Sequence, residues 1–336
     1  MDVQRHKKEN NINNEQELDS QWQAVEGINN HKFFVYSAYY DTRDIRNPII
    51  RVIAITLTEK SDKVKCRMYF NKKYPEIQIN NTYKKHENYL RSFRDVPAII
   101  SIINEHHNLT YSASYVLCPL DPPSVFGSKE NFVPDYVSIL PFSSSSTSHL
   151  NATNKLSVIN SKNGGTGTYQ VNKSDSIGVC VKPMYLKSNQ ILDLIEFIEF
   201  NKILGVSKFT MYNQTMSDKV SCVLNYYKNQ DKSVSIMSWN LRSVGPNIEI
   251  HDEGHMASVN DCVYRNMNVF RYLMPVDLDE FIIPHMNETL QDMIRFLNSK
   301  EVVIKKDKKV RCGKLASSYN FQNSFFYIKL GKNPII

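Results

Sequence analysis

Hydrophobic and polar positions follow different rhythms in the two halves of the chain. Between residues 31 and 142, short β-branched and aromatic runs alternate with turn residues. This pattern predicts a strand-rich antiparallel module. From residue 177 onward, strand patterns alternate with helical ones, which predicts βα units that form a mainly parallel sheet with helices on both faces.

The predicted elements have definable bounds. In the first half, strands are expected at residues 33–40, 48–55, 64–70, 114–118 and 136–140. In the second half, strands are expected at residues 177–181, 206–212 and 233–239, and helices at about 188–204, 218–229, 255–268 and 289–297. Ser188 is the predicted N-cap of the first helix and Gly205 its stop, with Leu192, Ile195 and Ile198 on its apolar stripe.

Two segments lack this patterning. Residues 1–30 are polar and charged, which predicts disorder. Residues 143–176 are rich in Ser, Asn and Gly, which predicts a flexible linker or insert between the antiparallel module (31–142) and the second domain (177–336).

Charge and hydropathy narrow the function classes. The net charge is +7, but Lys and Arg are scattered rather than arranged in a basic stripe with interleaved aromatics, so no nucleic-acid partner is expected. The N-terminus shows no signal-peptide pattern and no window reaches 18 apolar residues. The sequence thus predicts either a cytoplasmic protein or a chain shown without its anchor.

Cysteines and glycosylation sequons favour the secretory pathway. The six cysteines, an even number that allows three disulfides, show no zinc-ligand spacing, and their pairing stays open: Cys66, Cys118, Cys180, Cys222, Cys262 and Cys312. Six positions fit the N-glycosylation sequon: Asn80, Asn108, Asn151, Asn172, Asn213 and Asn287.

An apolar run with embedded carboxylates carries the clearest chemistry. Residues 272–284 are predicted to form a buried strand, on which Asp277 and Asp279 project to one face. Buried carboxylates need a compensating charge, and Asp is a natural ligand for a hard divalent cation. Such a metal neutralises the diphosphate of a nucleotide-sugar in many glycosyltransferases. The alternative is a strand end whose acids cap a helix or pair with Lys.

The parallel sheet predicts where a ligand binds. Ligands of open α/β sheets bind beyond the carboxyl ends of the strands. Tyr212 and Asn213 end one predicted strand, and Asp277 and Asp279 lie near the end of another. These segments are expected to line one crevice.

Six segments in this order resemble glycosyltransferase family 92, whose members include galactosyltransferases of animals and plants. The matching stretches are Val35–Arg43, Val179–Tyr185, Glu196–Val206, Phe209–Asn213, Asn260–Arg265 and Val276–Ile282. The family usually has Gln before the Asn-Asp-Cys segment, where this chain has Gly254 and His255.

The resemblance implies an α/β, GT-A-like Rossmann-type fold preceded by a smaller antiparallel module. It implies a hexosyltransferase that takes a UDP-sugar donor, UDP-galactose, and transfers the sugar to a glycan acceptor such as an N-glycan with inversion. It implies Mn²⁺ or another divalent cation held by Asp277 and Asp279, and a membrane-associated Golgi location. Compared with the family, the domain at 177–336 is expected to be incomplete at its C-terminus.

The resemblance also suggests donor-binding positions. The backbone around Val181 and Lys182, with Tyr212 and Asn213, is expected to shape the nucleoside pocket, and Tyr212 to stack on uracil. For Lys182 the open alternatives are a phosphate contact and plain solvent exposure. For Tyr212 the alternative is an ordinary strand-end aromatic, and for His255 a structural role rather than a contact to a phosphate or sugar oxygen.

The predicted helix at about 255–268 carries an ion pair. Asp261 and Arg265, four residues apart, either contact the donor or brace one another. An inverting enzyme needs a general base. No residue is assigned to that role, because Glu280 is expected to face away from the metal, and Glu196 and Glu199 to lie remote from the strand ends.

Two other function classes remain open from the sequence. A phosphohydrolase of the haloacid dehalogenase type would have Thr or Val where Phe281 stands, and its Asp motif would come early in the chain. A non-catalytic glycan- or nucleotide-sugar-binding paralogue would keep the fold without turnover. Asp277 and Asp279 argue against complete loss of donor binding.

Overall fold

The chain folds into a mixed α/β structure with two principal sheets. The computed structural model describes residues 21–26, 31–59, 62–70, 93–120, 133–142, 152–160, 176–186, 190–299, 301–304, 308–311, 318–322 and 324. Within these residues a mostly antiparallel sheet comes first, and a parallel sheet with helices follows it. No helix in the described ranges has the length and apolar character needed to cross a bilayer.

The first sheet has nine strands. They are β1 Gln23–Ala24, β2 Phe34–Asp41, β3 Ile49–Leu57, β4 Val64–Tyr69, β5 Phe93–Pro97, β6 Ile99–Ile102, β7 Tyr111–Pro119, β8 Tyr136–Pro141 and β9 Leu156–Ile159. The spatial order is β5-β4-β8-β9-β2-β3-β7-β6, and β1 pairs with β2. Its neighbours run antiparallel except β2 and β9. Only Ala98 separates β5 from β6 although they stand at opposite ends of this order, so the sheet curls back on itself.

The second sheet has four strands, all parallel to their neighbours. They are β10 Ile177–Leu186, β11 Lys208–Met216, β12 Val234–Ser238 and β13 Tyr272–Pro275, in the order β12-β11-β10-β13. A separate hairpin follows, formed by β14 Glu301–Ile304 and β15 Lys308–Arg311.

In the part of the chain that the structure describes, five α-helices connect or flank the parallel strands. They are α1 Ile191–Ile203, α2 Asp218–Tyr226, α3 Leu241–Val244, α4 His255–Asn266 and α5 Leu290–Ser299. A π-helical turn at Tyr227–Asp231 extends α2, and a 3₁₀ turn at His251–Gly254 precedes α4. The predicted stop after α1 is confirmed: Gly205 has φ +96, a left-handed conformation that favours Gly.

The two sheets share one of the three hydrophobic cores. Phe34 and Ile53 of the first sheet pack in the same cluster as Tyr212, Trp239 and Ala257 of the second unit. Strands β2 and β3 also contribute their other face to the interior of the curled sheet. Burial on both faces explains why their sequences are almost continuously apolar.

Two disulfides cross the cores. Cys66 pairs with Cys118, which links β4 to β7 inside the curled sheet. Cys180 pairs with Cys262, which links β10 to α4. Cys222 is exposed and forms no disulfide within the described residues. Cys312 lies outside them.

Several expectations need correction. The antiparallel sheet is the larger of the two, with nine strands against four, so the first module is not the smaller one as expected, although the second sheet is parallel as predicted. Trp22 is 2% exposed and packs in the shared core, so the disorder predicted for residues 1–30 does not hold at 21–26. The predicted linker at 143–176 contains β9, whose short β-branched run the polar flanks concealed. Leu192 is 77% exposed and is not on the buried stripe of α1.

Candidate functional site

Polar side chains gather at the carboxyl ends of β10, β11 and β13. Lys182 lies in β10, Asn213 and Gln214 lie in β11, and Asp277 follows β13 by two residues. Because the three strands are parallel neighbours, these ends meet at one edge of the sheet, where α/β folds bind ligands.

The carboxylates of the Asp277 segment lie in a turn rather than on a strand. β13 ends at Pro275, and the backbone N–H of Glu280 donates to the carbonyl oxygen of Asp277 at 3.1 Å. The Glu280 carboxylate in turn accepts from the N–H of Asp277 at 3.1 Å. The predicted strand at 272–284 is therefore wrong beyond residue 275, and with it the same-face argument for Asp277 and Asp279. Asp279 is exposed.

Lys182 bridges two carboxylates at this edge. Its Nζ lies 2.7 Å from Oδ2 of Asp277 and 3.4 Å from Oδ2 of Asp252. Partial burial acts to lower the pKa of Lys182, but the hydrogen bond to Asp277 and the charge of Asp252 outweigh it, so that the pKa is raised. The lysine is thus a fixed cation between two acids.

A strained backbone segment carries Asp252. Asp252, Glu253 and Gly254 have φ values of 39, 56 and 79, three consecutive residues in the left-handed region. Such conformations persist only where surrounding contacts hold them, and they cluster at ligand sites. Here the carbonyl of Glu253 accepts from Trp239 Nε1 at 2.9 Å, and its carboxylate accepts from Arg242 Nε at 2.6 Å.

Further polar groups surround that segment. Gln214 Nε2 donates to the Glu253 carboxylate at 3.2 Å. Burial acts to raise the pKa of Glu253, but hydrogen bonds from Arg242, Gln214 and Tyr185 outweigh it and lower the pKa. His255, the first residue of α4, is half-buried with its Nδ1 3.8 Å from Oδ2 of Asp252.

Two buried oxygens at the end of β11 lack partners. Within the described residues, Asn213 Oδ1 and Gln214 Oε1 accept no hydrogen bond although both are buried. Buried polar atoms are rarely left unsatisfied in folded proteins, and the exceptions mark ligand or water positions. Asn213 therefore remains a candidate for donor contact. Val181 lies in β10, is only 1% exposed and packs in the core, so it presents almost no surface to a ligand.

The structure favours bracing for the predicted residues of α4. Asp261 is fully buried; its carboxylate accepts hydrogen bonds from Ser37 at 2.5 Å, Tyr39 at 2.5 Å and Tyr212 at 2.6 Å, and from Arg265 Nε at 3.1 Å. No face of the carboxylate is open to the nucleotide-sugar donor. Tyr212 is equally buried. Its position therefore favours an ordinary aromatic residue at a strand end over one that stacks on uracil.

Sequence reasoning missed several members of the site. Asp252, Glu253, Arg242 and Tyr185 were not expected there. The available signal was the acidic pair immediately before Gly254, at the start of a predicted helix: a Gly in that position often permits a left-handed turn. Arg242 and Tyr185 are brought in by tertiary packing alone.

Comparison with known proteins shows that part of the chain is similar to a family. Residues 175–332 match glycosyltransferase family 92. The matched region makes up a little under half of the chain. The matched region contains all the polar side chains at this edge of the parallel sheet, from Lys182 to Asp279, while the curled sheet lies outside the match.

A curated relative agrees with the family. The chain is 29% identical over 110 residues to the beta-1,4-galactosyltransferase galt-1 of Caenorhabditis elegans. The alignment covers 32% of this chain and spans a quarter of the relative's length, 25%. Both comparisons show similarity to glycosyltransferases.

Proposed function

We propose that the chain transfers galactose from UDP-galactose to a glycan acceptor, with inversion, in a metal-dependent reaction. The observation that carries this proposal is the charged edge of the parallel sheet. There, Nζ of Lys182 lies within 3.4 Å of a carboxylate oxygen of Asp252 and of Asp277. The family match and the named worm galactosyltransferase supply the sugar class.

A GT-A-type arrangement is part of the proposal. In support of it, four parallel strands carry helices on both faces, since α1, α2 and α5 pack in one core and α3 and α4 in another. The carboxylates follow the last strand of that sheet, where donor-binding acids are expected in such folds.

The residues present fit a hard divalent cation such as Mn²⁺. Asp277 and the exposed Asp279 offer carboxylate oxygens, which such ions prefer. The ammonium of Lys182 on Asp277 already shows that this edge accommodates positive charge. We propose that Asp277 and Asp279 hold the ion. When bound, it would neutralise charge on the diphosphate leaving group.

The chain's own groups would orient the donor. Lys182 supplies a cation for a phosphate oxygen, and the unpartnered amide oxygen of Asn213 supplies an acceptor for a ribose or uracil N–H or O–H group. His255 stands at the start of α4, where the helix dipole favours an anionic group. Arg242 holds Glu253, and thereby the strained segment, in place.

The cysteines and the sequons support the proposed compartment. Two disulfides in the described residues favour an oxidising environment, and together with the Asn-x-Ser/Thr sequons they support a location in the lumen of the Golgi or elsewhere in the secretory pathway. Membrane association remains part of the proposal on the strength of the family resemblance alone. An N-glycan is the proposed acceptor class.

Calorimetric titration of UDP-galactose, with and without Mn²⁺, tests the proposal. We expect binding that requires Mn²⁺ in the native sequence and is lost in Asp277→Asn and Asp279→Asn. Glu196→Gln is the matched control, because Glu196 is an exposed carboxylate on α1, outside the charged edge. A control variant that loses binding equally would remove the site assignment.

A transfer assay on the same protein separates turnover from binding. If UDP-galactose binds with Mn²⁺, radiolabel transfer to N-glycan acceptors then distinguishes an active enzyme from a paralogue that binds without turnover. A folded protein that binds no UDP-sugar at all, with or without the ion, would exclude the proposed donor site.

A further inference from the structure

A second group of metal-ligating side chains lies where the curled sheet meets the strained segment before α4. The ligand atoms of Glu105, His107 and His251 all lie within 4.8 Å of one another. The imidazole rings of His107 and His251 are stacked, with centroids 3.8 Å apart and planes at 28°. Neither the family comparison nor the charged edge at Asp277 involves these three residues together.

The loop between β6 and β7 is shaped to present two of the ligands. Glu105, His107 and Asn108 have φ values of 82, 52 and 57. The turn is closed by the N–H of Leu109, which donates to the carbonyl of His106 at 3.0 Å. The N–H of Asn108 donates to His106 Nδ1 at 3.1 Å. The imidazole of His106 therefore accepts a hydrogen bond within the loop, while Glu105 and His107 are exposed.

The third ligand comes from a different part of the fold that is docked against this loop. The N–H of Tyr111 donates to the carbonyl of Glu249 at 3.0 Å, and the hydroxyl of Thr110 donates to the Glu249 carboxylate. These contacts fix residues 249–251 beside β7. His251 thus reaches the loop as part of a fixed backbone pairing and not by a chance side-chain approach.

The donor set selects a class of metal. Two imidazoles and one carboxylate form a set typical of Zn²⁺ sites that keep an open position for water. At Zn–N distances of about 2.0–2.1 Å, tetrahedral ligand atoms lie roughly 3.3 Å apart. Glu105 and His107 are exposed, so their side chains have room to rotate, and the imidazole of His107 would leave its stack on His251 to direct a nitrogen at the ion.

We propose that Glu105, His107 and His251 form a Zn²⁺-binding site that joins the curled sheet to the family 92 region. His251 directly precedes Asp252 and Glu253, so a bound ion would anchor the strained segment to the β6–β7 loop. The site differs from the charged edge in its nitrogen donors, and it does not depend on the proposed transferase activity.

Titration of the metal-stripped full chain with Zn²⁺, and separately with Co²⁺ as a spectroscopic probe, tests this site. We expect one Zn²⁺ per chain in addition to any bound at the charged edge. We also expect visible Co²⁺ absorption with the intensity of a four-coordinate site. His107→Ala and Glu105→Ala should each weaken Zn²⁺ affinity by about tenfold or more.

Matched variants make the result decisive. His285→Ala removes an exposed histidine outside the cluster and should leave Zn²⁺ affinity unchanged. Asp279→Asn should leave it unchanged as well, which separates this site from the proposed Mn²⁺ site. Absence of Zn²⁺ binding to the folded protein, or binding that His107→Ala and Glu105→Ala both leave intact, would overturn the proposal and leave the two rings as a structural stack.

Discussion

The hydroxyl of Ser37, on β2, donates a 2.5 Å hydrogen bond to the carboxylate of Asp261, which lies 224 residues later on α4. Tyr39 and Tyr212 donate to the same carboxylate, and Arg265 pairs with it. A single buried charge therefore connects strands of both sheets to one helix. Its position between them makes it the principal polar contact of the shared core.

Replacement of Asp261 by Asn should destabilise the fold strongly. The variant leaves the Arg265 guanidinium without its counter-charge inside the protein, and breaking a buried pair in this way costs about 3–5 kcal/mol. Tyr212→Phe, which removes one hydrogen bond to the carboxylate, should cost about 1.5–3 kcal/mol. Urea unfolding followed by circular dichroism measures both. An Asp261→Asn protein as stable as the native one would contradict this account.

Protonation of Asp261 at low pH should destabilise the folded protein. Burial acts to raise the pKa of Asp261, but Arg265 and the hydrogen bonds from Ser37 and Tyr212 outweigh it, so the folded-state pKa lies below 3.8. The unfolded state then binds the proton more readily. The stabilisation is complete above the unfolded pKa and is lost as pH falls through the folded one.

Asp41 and Asp95 have lowered pKa values as well, because paired arginines outweigh the effect of their burial. We therefore expect the unfolding free energy to decline steeply below about pH 4. Urea midpoints measured between neutral pH and pH 3 check this. The Asp261→Asn variant should show a shallower decline, and an equally steep one would assign the acid sensitivity to other carboxylates.

Lys182→Gln should change metal and donor affinity in opposite directions. Without the ammonium, Asp277 and Asp252 lose their shared counter-ion, and Mn²⁺ alone should bind about twofold to fivefold tighter. UDP-galactose should bind more weakly, because a phosphate contact is lost. Separate titrations of each ligand measure this. If both affinities stay unchanged, Lys182 has no part in the site.

The Cys180–Cys262 disulfide should contribute measurably to stability. It closes a loop with a sequence separation of 82 residues, for which chain-entropy arguments give about 4.5 kcal/mol, and loss of such a bridge typically costs about 2–5 kcal/mol. The Cys180→Ala/Cys262→Ala double variant should therefore lower the urea midpoint. Cys222→Ala is the control, since that thiol is exposed and should leave the midpoint unchanged.

Local periodicity was enough to predict most elements. The strands β2, β3 and β4 and the helix α4 lie within a few residues of their expected bounds, because their apolar positions repeat at the spacing of the structure they form. β9 escaped detection because four residues between polar flanks carry too little signal. The end of β13 was misplaced because the apolar residues after Pro275 pack against a core without strand pairing.

The site was less predictable for a physical reason. Lys182 and Asp277 were identified from their strands, but their contact depends on how β10 and β13 pair. Asp261 was ambiguous because the hydroxyl groups that satisfy it come from Ser37 and Tyr39, far away in sequence. The segment before α4 was missed because left-handed φ at Asp252 and Glu253 is imposed by tertiary contacts rather than by residue type.

The shared core also limits how the chain can be divided. Tyr212 and Trp239, which lie in the region that matches family 92, are buried partly by Trp22, Phe34 and Tyr36, which the match does not include. A recombinant fragment that starts at residue 175 would present these aromatic surfaces, and the carboxylate of Asp261, to water. We expect such a fragment to bind hydrophobic dyes and to precipitate, because the curled sheet covers apolar surface of the region that carries the charged edge.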